Sequence, residues 1–387
     1  ISMRADLSVD QLTAIHVEIT SKCNARCPGC LRTTDDGGVL SILTHNPVEM
    51  SLDQFQTYFP KNIVRDKEFF FGGTIDDPMM NKNVYDICEY VIRSDGEVVV
   101  ETNTGANTKE TYEKLGKLSV KHPDKLNMVF SVDGTQETNH LYRVNVKWEK
   151  VLENMKAFSE TGAKGKWQYL VFDHNYDDIE NAKKIANDLG IELVLRQNTR
   201  NTESWVSKSK VKNKETKKIE TKTFEVKTTE KFAHTETITK DKIQVMSEVP
   251  FSSTSLRRMS KHGLIRGEIP YQEKNISCYL YHSKEIFVAW DMKVWPCCYF
   301  AGKNLEKKNY FLDLELEFGT DWNDITKHSL EDILKHEYYD KLLYLSLTSK
   351  EPSKYYNPAV CFANCGSKGI RKGYQYTDPD FKNTWNS

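Results

Sequence analysis

The chain has 387 residues, 39% of them apolar and 28% charged, which predicts two or three domains with a large core. Lys and Arg total 54 against 55 for Asp and Glu. The net charge of −1 therefore gives no bulk electrostatic basis for binding nucleic acid, and we expect no nucleic-acid partner. No run of about eighteen apolar residues occurs, so we expect a soluble, cytoplasmic protein without a membrane partner.

Strand-like and helix-like patterns alternate over residues 14–200. The predicted strands are Ala14–Thr20, Phe69–Gly72, Val98–Thr102, Met128–Val132, Trp167–Phe172 and Leu193–Leu195. The predicted helices are Ser51–Phe59, Val84–Ile92, Lys109–Leu118, Trp148–Thr161 and Asp178–Leu189. Such alternation predicts an α/β fold with a parallel sheet and right-handed crossovers. Six units are too few for the usual eight-fold barrel, so we expect an open partial barrel with its site at the C-terminal strand ends.

The segment 206–248 has a different composition. Between Lys208 and Lys242 there are eleven Lys, six acidic residues and eight Thr, with few large apolar side chains. Two interpretations stay open at this stage. The segment is either a solvated, partly mobile insertion or long β-ribbon, or a basic arm of net charge +5 that binds an acidic partner.

The last part of the chain is predicted to be structured again. Glu285–Val288 and Lys293–Trp295 form a hairpin pattern, and Ser329–Leu345 has the periodicity of an amphipathic helix. The expected domain boundaries are 10–205 for the partial barrel, 206–250 for a charged insertion or linker, and 251–387 for a C-terminal domain.

Three of the nine cysteines, Cys23, Cys27 and Cys30, follow directly after the first predicted strand. Three thiolates from one short loop can ligate three corners of a cubane iron–sulfur cluster and leave one iron open. A closed tetrahedral zinc site would need a fourth ligand, and none is obvious beside the loop. The alternatives are a zinc knuckle with a distant ligand or three unrelated core thiols. A disulfide framework is not expected in a chain of this size without a secretion signal.

The spacing Cys-x3-Cys-x2-Cys in the loop after the first strand resembles that of the radical S-adenosylmethionine (radical SAM) superfamily. The resemblance implies a partial (βα)6 barrel in which Cys23, Cys27 and Cys30 hold a [4Fe-4S] cluster that binds S-adenosylmethionine. Further strand-end motifs resemble those that contact the cofactor, although Thr74 stands where the family usually has an acid. The implied cofactor-binding residues are Gly72, Gly73, Thr74, Asp77, Thr102, Asn103, Ser131, Asp133 and Arg143.

The C-terminal part contains five further cysteines, and Asp291–Cys297 resembles the hairpin signature of the SPASM and twitch extensions of radical SAM enzymes. The count of five favours a twitch-like domain with one auxiliary cluster. The implied ligands of this second [4Fe-4S] cluster are Cys278, Cys297, Cys361 and Cys365, with Cys298 as the spare or as the ligand in place of Cys297. The alternative is a structural zinc ion in the same four-thiolate site. Cys88 lies within a predicted helix and is interpreted as a small buried hydrophobic residue.

The resemblance implies reductive cleavage of S-adenosylmethionine to a 5′-deoxyadenosyl radical, which abstracts a hydrogen atom from the substrate. It points to no particular catalytic side chain. The first substrate hypothesis is a peptide or protein side chain that is crosslinked, epimerised or oxidised; residues 206–248 could hold it by strand addition. The second is a small molecule such as a sugar, a nucleotide or a modified base. An electron donor such as flavodoxin or ferredoxin is an expected partner. A non-enzymatic zinc-binding module is the alternative from another class.

Overall fold

A computed structural model of the chain describes residues 5, 7–197, 204–212, 219–232, 235–239, 242–246, 278–302, 309–348, 355 and 361. Cys365, one of the predicted ligands, lies outside the described residues. None of the described helices is long and apolar enough to cross a membrane. The eight described cysteines form no disulfide bond with one another.

Six parallel strands form the centre of the structure and lie side by side in chain order, which confirms the α/β prediction. They are β1 (Ala14–Val17), β2 (Glu68–Phe71), β3 (Glu97–Thr102), β4 (Leu126–Ser131), β5 (Gly165–Val171) and β6 (Glu192–Gln197). Each register is continuous; for example, Val100 pairs with Phe71 on one side and with Met128 on the other. Because all six strands run in the same direction, their C-terminal ends form one edge, where a ligand site is expected.

Helices connect consecutive strands, and each of the five predicted helices is present. They are Leu52–Tyr58, Val84–Arg93, Lys109–Lys121, Trp148–Ser159 and Ile179–Leu189, with shorter helices at Ser41–His45, Lys61–Val64 and Asn139–Tyr142. Ser51 begins the first long helix by accepting from Gln54 N, whose side chain accepts from Ser51 N in turn, a capping box. Gly190, in the left-handed region, ends the last one. Cys88 is fully buried on its helix, as predicted.

The 206–248 segment contains two antiparallel hairpins. The first, here called the ribbon, consists of β7 (Ser204–Lys212) and β8 (Ile219–Lys227) and forms a sheet of its own. The second consists of β9 (Thr235–Thr239) and β10 (Lys242–Met246), and β9 pairs with β6 at the edge of the central sheet. The β-ribbon interpretation is therefore confirmed for the first hairpin. Part of the segment packs on the core, because Val226 and Phe232 are buried.

The C-terminal part adds strands to the opposite edge of the sheet. The predicted hairpin is present as β11 (Glu285–Val288) and β12 (Val294–Trp295), and β11 also pairs in parallel with β1. The predicted helix over Ser329–Leu345 is interrupted. It is replaced by helix Leu330–Lys335, a π-helical turn at Tyr338–Leu342 and helix Leu343–Thr348. The remaining helices here are Tyr279–His282, Cys298–Gly302 and Asn309–Phe318.

The interruption has a packing reason. His336 adopts extended backbone angles at the end of helix Leu330–Lys335, and its ring packs against Trp322 and Phe318. The two tyrosines that follow, Tyr338 and Tyr339, are both fully buried.

Candidate functional site

The cysteine loop leaves the C-terminal end of β1, where the neighbouring strand ends bring polar groups to its sulfur atoms. Ala25 N donates to Cys23 Sγ at 3.4 Å, and Asn103 Nδ2 lies 3.6 Å from the same sulfur. Arg143 Nη1 lies 3.8 Å from Cys27 Sγ. Donors of this kind stabilise sulfur that carries negative charge, as a thiolate ligand does.

The structure does not test the assignment of the loop's three thiols to a cluster. In the part of the chain that the structure describes, no three His, Cys, Asp or Glu side chains are arranged to hold a metal ion. Burial raises the pKa of Cys23 well above its usual value, with further contributions from Asp77 and Cys27. The assignment of Cys23, Cys27 and Cys30 to a cluster therefore stays a prediction.

The glycine pair after β2 lies close to the C-terminal end of the neighbouring strand β3. Gly72 and Gly73 have φ values of +130° and +101°, a region that favours glycine. A Cβ on Gly72 would lie 2.4 Å from the carbonyl oxygen of Glu101, so no side chain fits there. His16, on β1, lies with Nε2 2.6 Å from the carbonyl oxygen of Gly72. Gly72 is thus packed against the end of β3, and His16 holds its carbonyl group from the side of β1.

Asp77 ties the glycine-rich segment to the end of β3. Its carboxylate accepts from Thr102 Oγ1 at 2.8 Å, from Asn103 N at 2.8 Å and from Met79 N at 3.0 Å. The side chain is buried, and these hydrogen bonds occupy both of its oxygens. Asp77 and Thr102 consequently position Asn103, which carries the contact to Cys23.

The predicted residues after β4 form two further pairs. Ser131 Oγ donates to Glu101 Oε1 at 2.7 Å, and Gln168 Nε2 reaches the same oxygen at 3.3 Å. Arg143 Nε donates to Asp133 Oδ2 at 2.6 Å, while Leu170 N donates to Asp133 Oδ1 at 2.7 Å. Asp133 is fully buried, so its charge fixes the guanidinium beside Cys27. Glu101 was not among the predicted site residues.

Two buried acids next to the glycine pair were also missed by the sequence prediction. Glu18 accepts from Ile75 N and from Trp290 N, both at 3.0 Å, and burial raises its pKa to about 8. Both carboxylate oxygens of Asp76 are buried without a hydrogen-bond partner, and burial followed by the charge of Glu18 raises its pKa well above the usual value. The guanidinium of Arg32 lies in the same buried group.

A sequence signal for Glu18 existed. His16, Glu18 and Thr20 alternate with apolar residues along and just beyond β1, and all three are buried. A polar face on a buried parallel strand is unusual, because such strands normally read as continuous apolar runs. Asp76 and Arg32 carry no comparable signal, since only the folded chain brings them together.

The C-terminal cysteines lie in a more apolar environment. Burial raises the pKa of Cys278 to about 11 and that of Cys298 to about 12. Cys298 is within hydrogen-bonding reach of the Thr74 side chain, so it faces the glycine-rich segment. Cys297 and Cys361 are half-buried and pack against the same core. A contact with Thr74 thus distinguishes Cys298 from Cys297, but the structure does not test the four-ligand assignment.

Comparison with known proteins identifies the domain that carries this site. Residues 17–186 match the family model of the radical SAM superfamily. The match supports a radical SAM domain over these residues and an enzyme, and the radical SAM fold implies a [4Fe-4S] cluster and S-adenosylmethionine. No curated protein matches the chain.

Solved structures that resemble the chain have low sequence identity to it. Streptococcus suis SuiB bound to S-adenosylmethionine has a TM-score of 0.49 at 13% identity over 90% of this chain and 77% of its own. SuiB bound to its precursor peptide SuiA has a TM-score of 0.45 at 12% identity, with 76% and 61% covered. Archaeal TYW1 has a TM-score of 0.28 at 12% identity, with 40% and 48% covered.

Proposed function

We propose that the enzyme cleaves S-adenosylmethionine reductively at Cys23, Cys27 and Cys30 and uses the product to abstract hydrogen from a peptide or protein side chain. One observation carries the first half of this proposal. Two of the three thiols on the loop after β1 receive N–H groups: Cys23 from Ala25 N and Asn103 Nδ2, and Cys27 from Arg143 Nη1.

The donor set fits the group that the fold implies. Three thiols on one loop supply three of the four corners of a cubane cluster, which leaves one iron for the cofactor. Amide and guanidinium groups near the sulfurs stabilise the charge of thiolate ligands, and such outer contacts typically change metal affinity 10–100-fold. A bound cluster would supply the electron and the open coordination position; the protein supplies binding, orientation and exclusion of water.

The surroundings of the glycine pair fit the amino-acid end of S-adenosylmethionine. The unpartnered carboxyl group of Asp76 is a buried acceptor that an ammonium group would satisfy, and Glu18 lies beside it. An unsatisfied buried carboxyl is costly, so a cationic ligand gains from its presence. Gly73, three residues before Asp76 in the chain, is exposed and leaves its backbone accessible. The acid that the sequence lacks at Thr74 is thus replaced by residues from nearby positions.

The ribbon favours a peptide over a small molecule as the substrate. Both of its strands pair only with each other along their length among the described residues, apart from the single bridge between Thr228 and Phe172. An exposed strand edge can accept an extended peptide through main-chain hydrogen bonds. Solvent-facing Lys222 and Lys227 on β8 would suit acidic residues of such a peptide.

We further propose an auxiliary [4Fe-4S] cluster held by Cys278, Cys297, Cys361 and Cys365. Its support is the sequence pattern together with the packing of the described members against one core. Cys297 is preferred to Cys298, because Cys298 contacts Thr74 on the side of the first site.

The test is S-adenosylmethionine binding by anaerobically reconstituted protein. Asp76→Asn should weaken binding about tenfold or more, since it replaces one buried acceptor oxygen with an NH2 donor that would face the ammonium group, but keeps the size of the side chain. Asp66→Asn is the matched control; Asp66 is exposed with φ +60°, where Asn is tolerated. Equal affinities for the two variants would reject the cofactor placement. Incubation with peptide and small-molecule mixtures, read by mass spectrometry, decides the substrate class.

A further inference from the structure

The turn that carries Cys27 and Cys30 has an unusual neighbour. Cys30 N donates to the carbonyl oxygen of Cys27 at 3.2 Å, and the turn between them is Pro28–Gly29. Gly29 has φ +71°, which matches a β-turn with proline first and a positive-φ residue second. A Cβ on Gly29 would lie 2.4 Å from Nε1 of Trp205 and 2.7 Å from the next indole carbon. The indole therefore occupies the space that a side chain at position 29 would need.

Trp205 comes from the ribbon, which is fixed to the end of β5 by packing. The Trp205 ring lies edge-on to Phe172, with centroids 6.4 Å apart. Val226, its cross-strand partner on β8, is fully buried. Phe224, on the same strand, packs edge-on against His174 at 5.4 Å. The indole is thus positioned from the barrel side as well as by its own strand.

A second contact joins the ribbon to the same loop further along the chain. Lys208 Nζ donates to the carbonyl oxygen of Asp35 at 3.0 Å. Lys208 also lies close to Gly37: a Cβ added to Gly37 would be 3.1 Å from the Cβ of Lys208. The ribbon therefore touches the segment that begins with the cysteines at two places, Gly29 and residues 35–37.

We propose that Trp205 is a positioning residue for the cysteine loop. It fixes the Cys27–Cys30 turn against the ribbon and shields that side of the loop from water, so that the ribbon is a working part of the site. The inference rests on the proposed function, because it assumes that the loop binds a cluster. Its physical basis is the large, rigid apolar surface of an indole, together with the control that an apolar surround exerts over solvent access to a metal site.

The experiment is iron release to a chelator from anaerobically reconstituted protein, followed with the electron paramagnetic resonance (EPR) spectrum of the reduced protein. Trp205→Ala should release iron from the first cluster about tenfold faster than wild type and alter the spectrum. Trp205→Phe, which keeps an aromatic ring, should stay within about threefold of wild type. Val206→Ala is the matched control, since Val206 is the next residue and is 54% exposed.

Equal release rates and spectra for Trp205→Ala and Val206→Ala would overturn the proposal. If Trp205→Ala does not fold, Trp205→Leu takes its place with the same expected direction. A second variant approaches the contact from the loop. Gly29→Ala should also accelerate iron release, because the new methyl group cannot share the space with the indole. Wild-type protein that binds no iron at the loop would reject the proposed function itself, whereas an intact cluster that is insensitive to Trp205 rejects only this inference.

Discussion

The two cysteine regions differ in what surrounds their sulfur atoms. At the first region, side chains from the ends of β3 and from the segment after β4 reach Cys23 and Cys27 through Asn103 and Arg143. At the second, Cys278 is half-buried, and the contacts that lower its pKa are backbone groups of Leu280 and Tyr281. An amide and a guanidinium side chain therefore reach the sulfurs of the first region, while at the second Cys278 is contacted by backbone groups and Cys298 by the Thr74 side chain.

This difference indicates different tasks. A cluster that binds a charged cofactor needs polar groups that also orient that cofactor, and the strand ends supply them. A cluster closed by four protein ligands needs only a stable, dry site, and it can pass electrons or shape a pocket. The comparison predicts that substitutions in the first region change cofactor chemistry, while those in the second change iron content first.

The largest effect is expected from replacing Cys23, Cys27 and Cys30 with Ala together. The variant should form no 5′-deoxyadenosine in dithionite-reduced protein, because no thiolate remains to hold the first cluster. It should retain about four of about eight irons per chain if both clusters are present. Iron analysis and product quantification by mass spectrometry measure both quantities.

Cys88→Ala is the matched control for the triple variant, since Cys88 is a fully buried thiol far from either predicted ligand set in sequence. It should lower stability slightly through the lost packing and keep all of its iron. Persistent cofactor cleavage by the triple variant would remove the first region from the chemistry.

A smaller loss is expected from Arg143→Met. The substitution removes the guanidinium beside Cys27 and leaves the buried carboxylate of Asp133 unpaired, so cofactor cleavage should fall about 10–100-fold. Iron at the second region should not change. Arg143→Lys should recover part of the rate, and Arg93→Met, at an exposed helix position, should match wild type. A change in the second region's iron would contradict the separation of the two sites.

The next effect distinguishes the adjacent cysteines. Cys297→Ser should lose about four irons per chain, whereas Cys298→Ser should keep them, because Cys298 faces Thr74. Cofactor cleavage should fall only several-fold in Cys297→Ser. Iron loss from Cys298→Ser but not from Cys297→Ser would make Cys298 the ligand in place of Cys297. Zinc in place of iron at the second region of the wild type would reject the auxiliary cluster but not the chemistry of the first region.

The barrel was predictable because its signals are local. Alternating patterns, the cap at Ser51 and the C-terminal glycine Gly190 depend on neighbours in sequence, and every predicted strand from β1 to β6 is present. The pairing of β9 with β6 and of β11 with β1 was not predictable, since it depends on contacts between distant segments.

The same reasoning applies to the site. The cysteine spacing and glycine pair are sequence-local and were found, although their ligand roles stay predictions. Asp76 is noticeable only because folding leaves its carboxyl group without a partner, and Trp205 only because folding places it on Gly29. A single residue in a lysine-rich segment carries no such signal.

The smallest effect concerns the packing between ribbon and barrel. Burial lowers the pKa of His174 to about 4. The charges of Asp173 and Asp178 oppose this shift, while that of His140 adds to it. The His174 imidazole therefore becomes protonated near pH 6.5 in the unfolded chain, but only near pH 4 in the folded chain. Stability from His174 is therefore complete above about pH 6.5 and is lost as the pH falls towards 4.

His174→Phe removes this titration while keeping an aromatic ring between Phe172 and Phe224. The melting temperature of the variant, relative to wild type, should rise by about 2–4 °C between pH 7.5 and pH 5. The exposed His45 provides the control, and His45→Phe should show no such trend. A difference that does not change with pH would mean that folding does not lower the pKa of His174.

The most direct test of the central claim is single-turnover cofactor cleavage by the reduced, reconstituted wild-type protein. We predict that S-adenosylmethionine changes the EPR spectrum of the reduced cluster and that 5′-deoxyadenosine and methionine then form in equal amounts. An intact cluster at Cys23, Cys27 and Cys30 whose spectrum is unchanged by the cofactor, with no 5′-deoxyadenosine formed, would contradict the account.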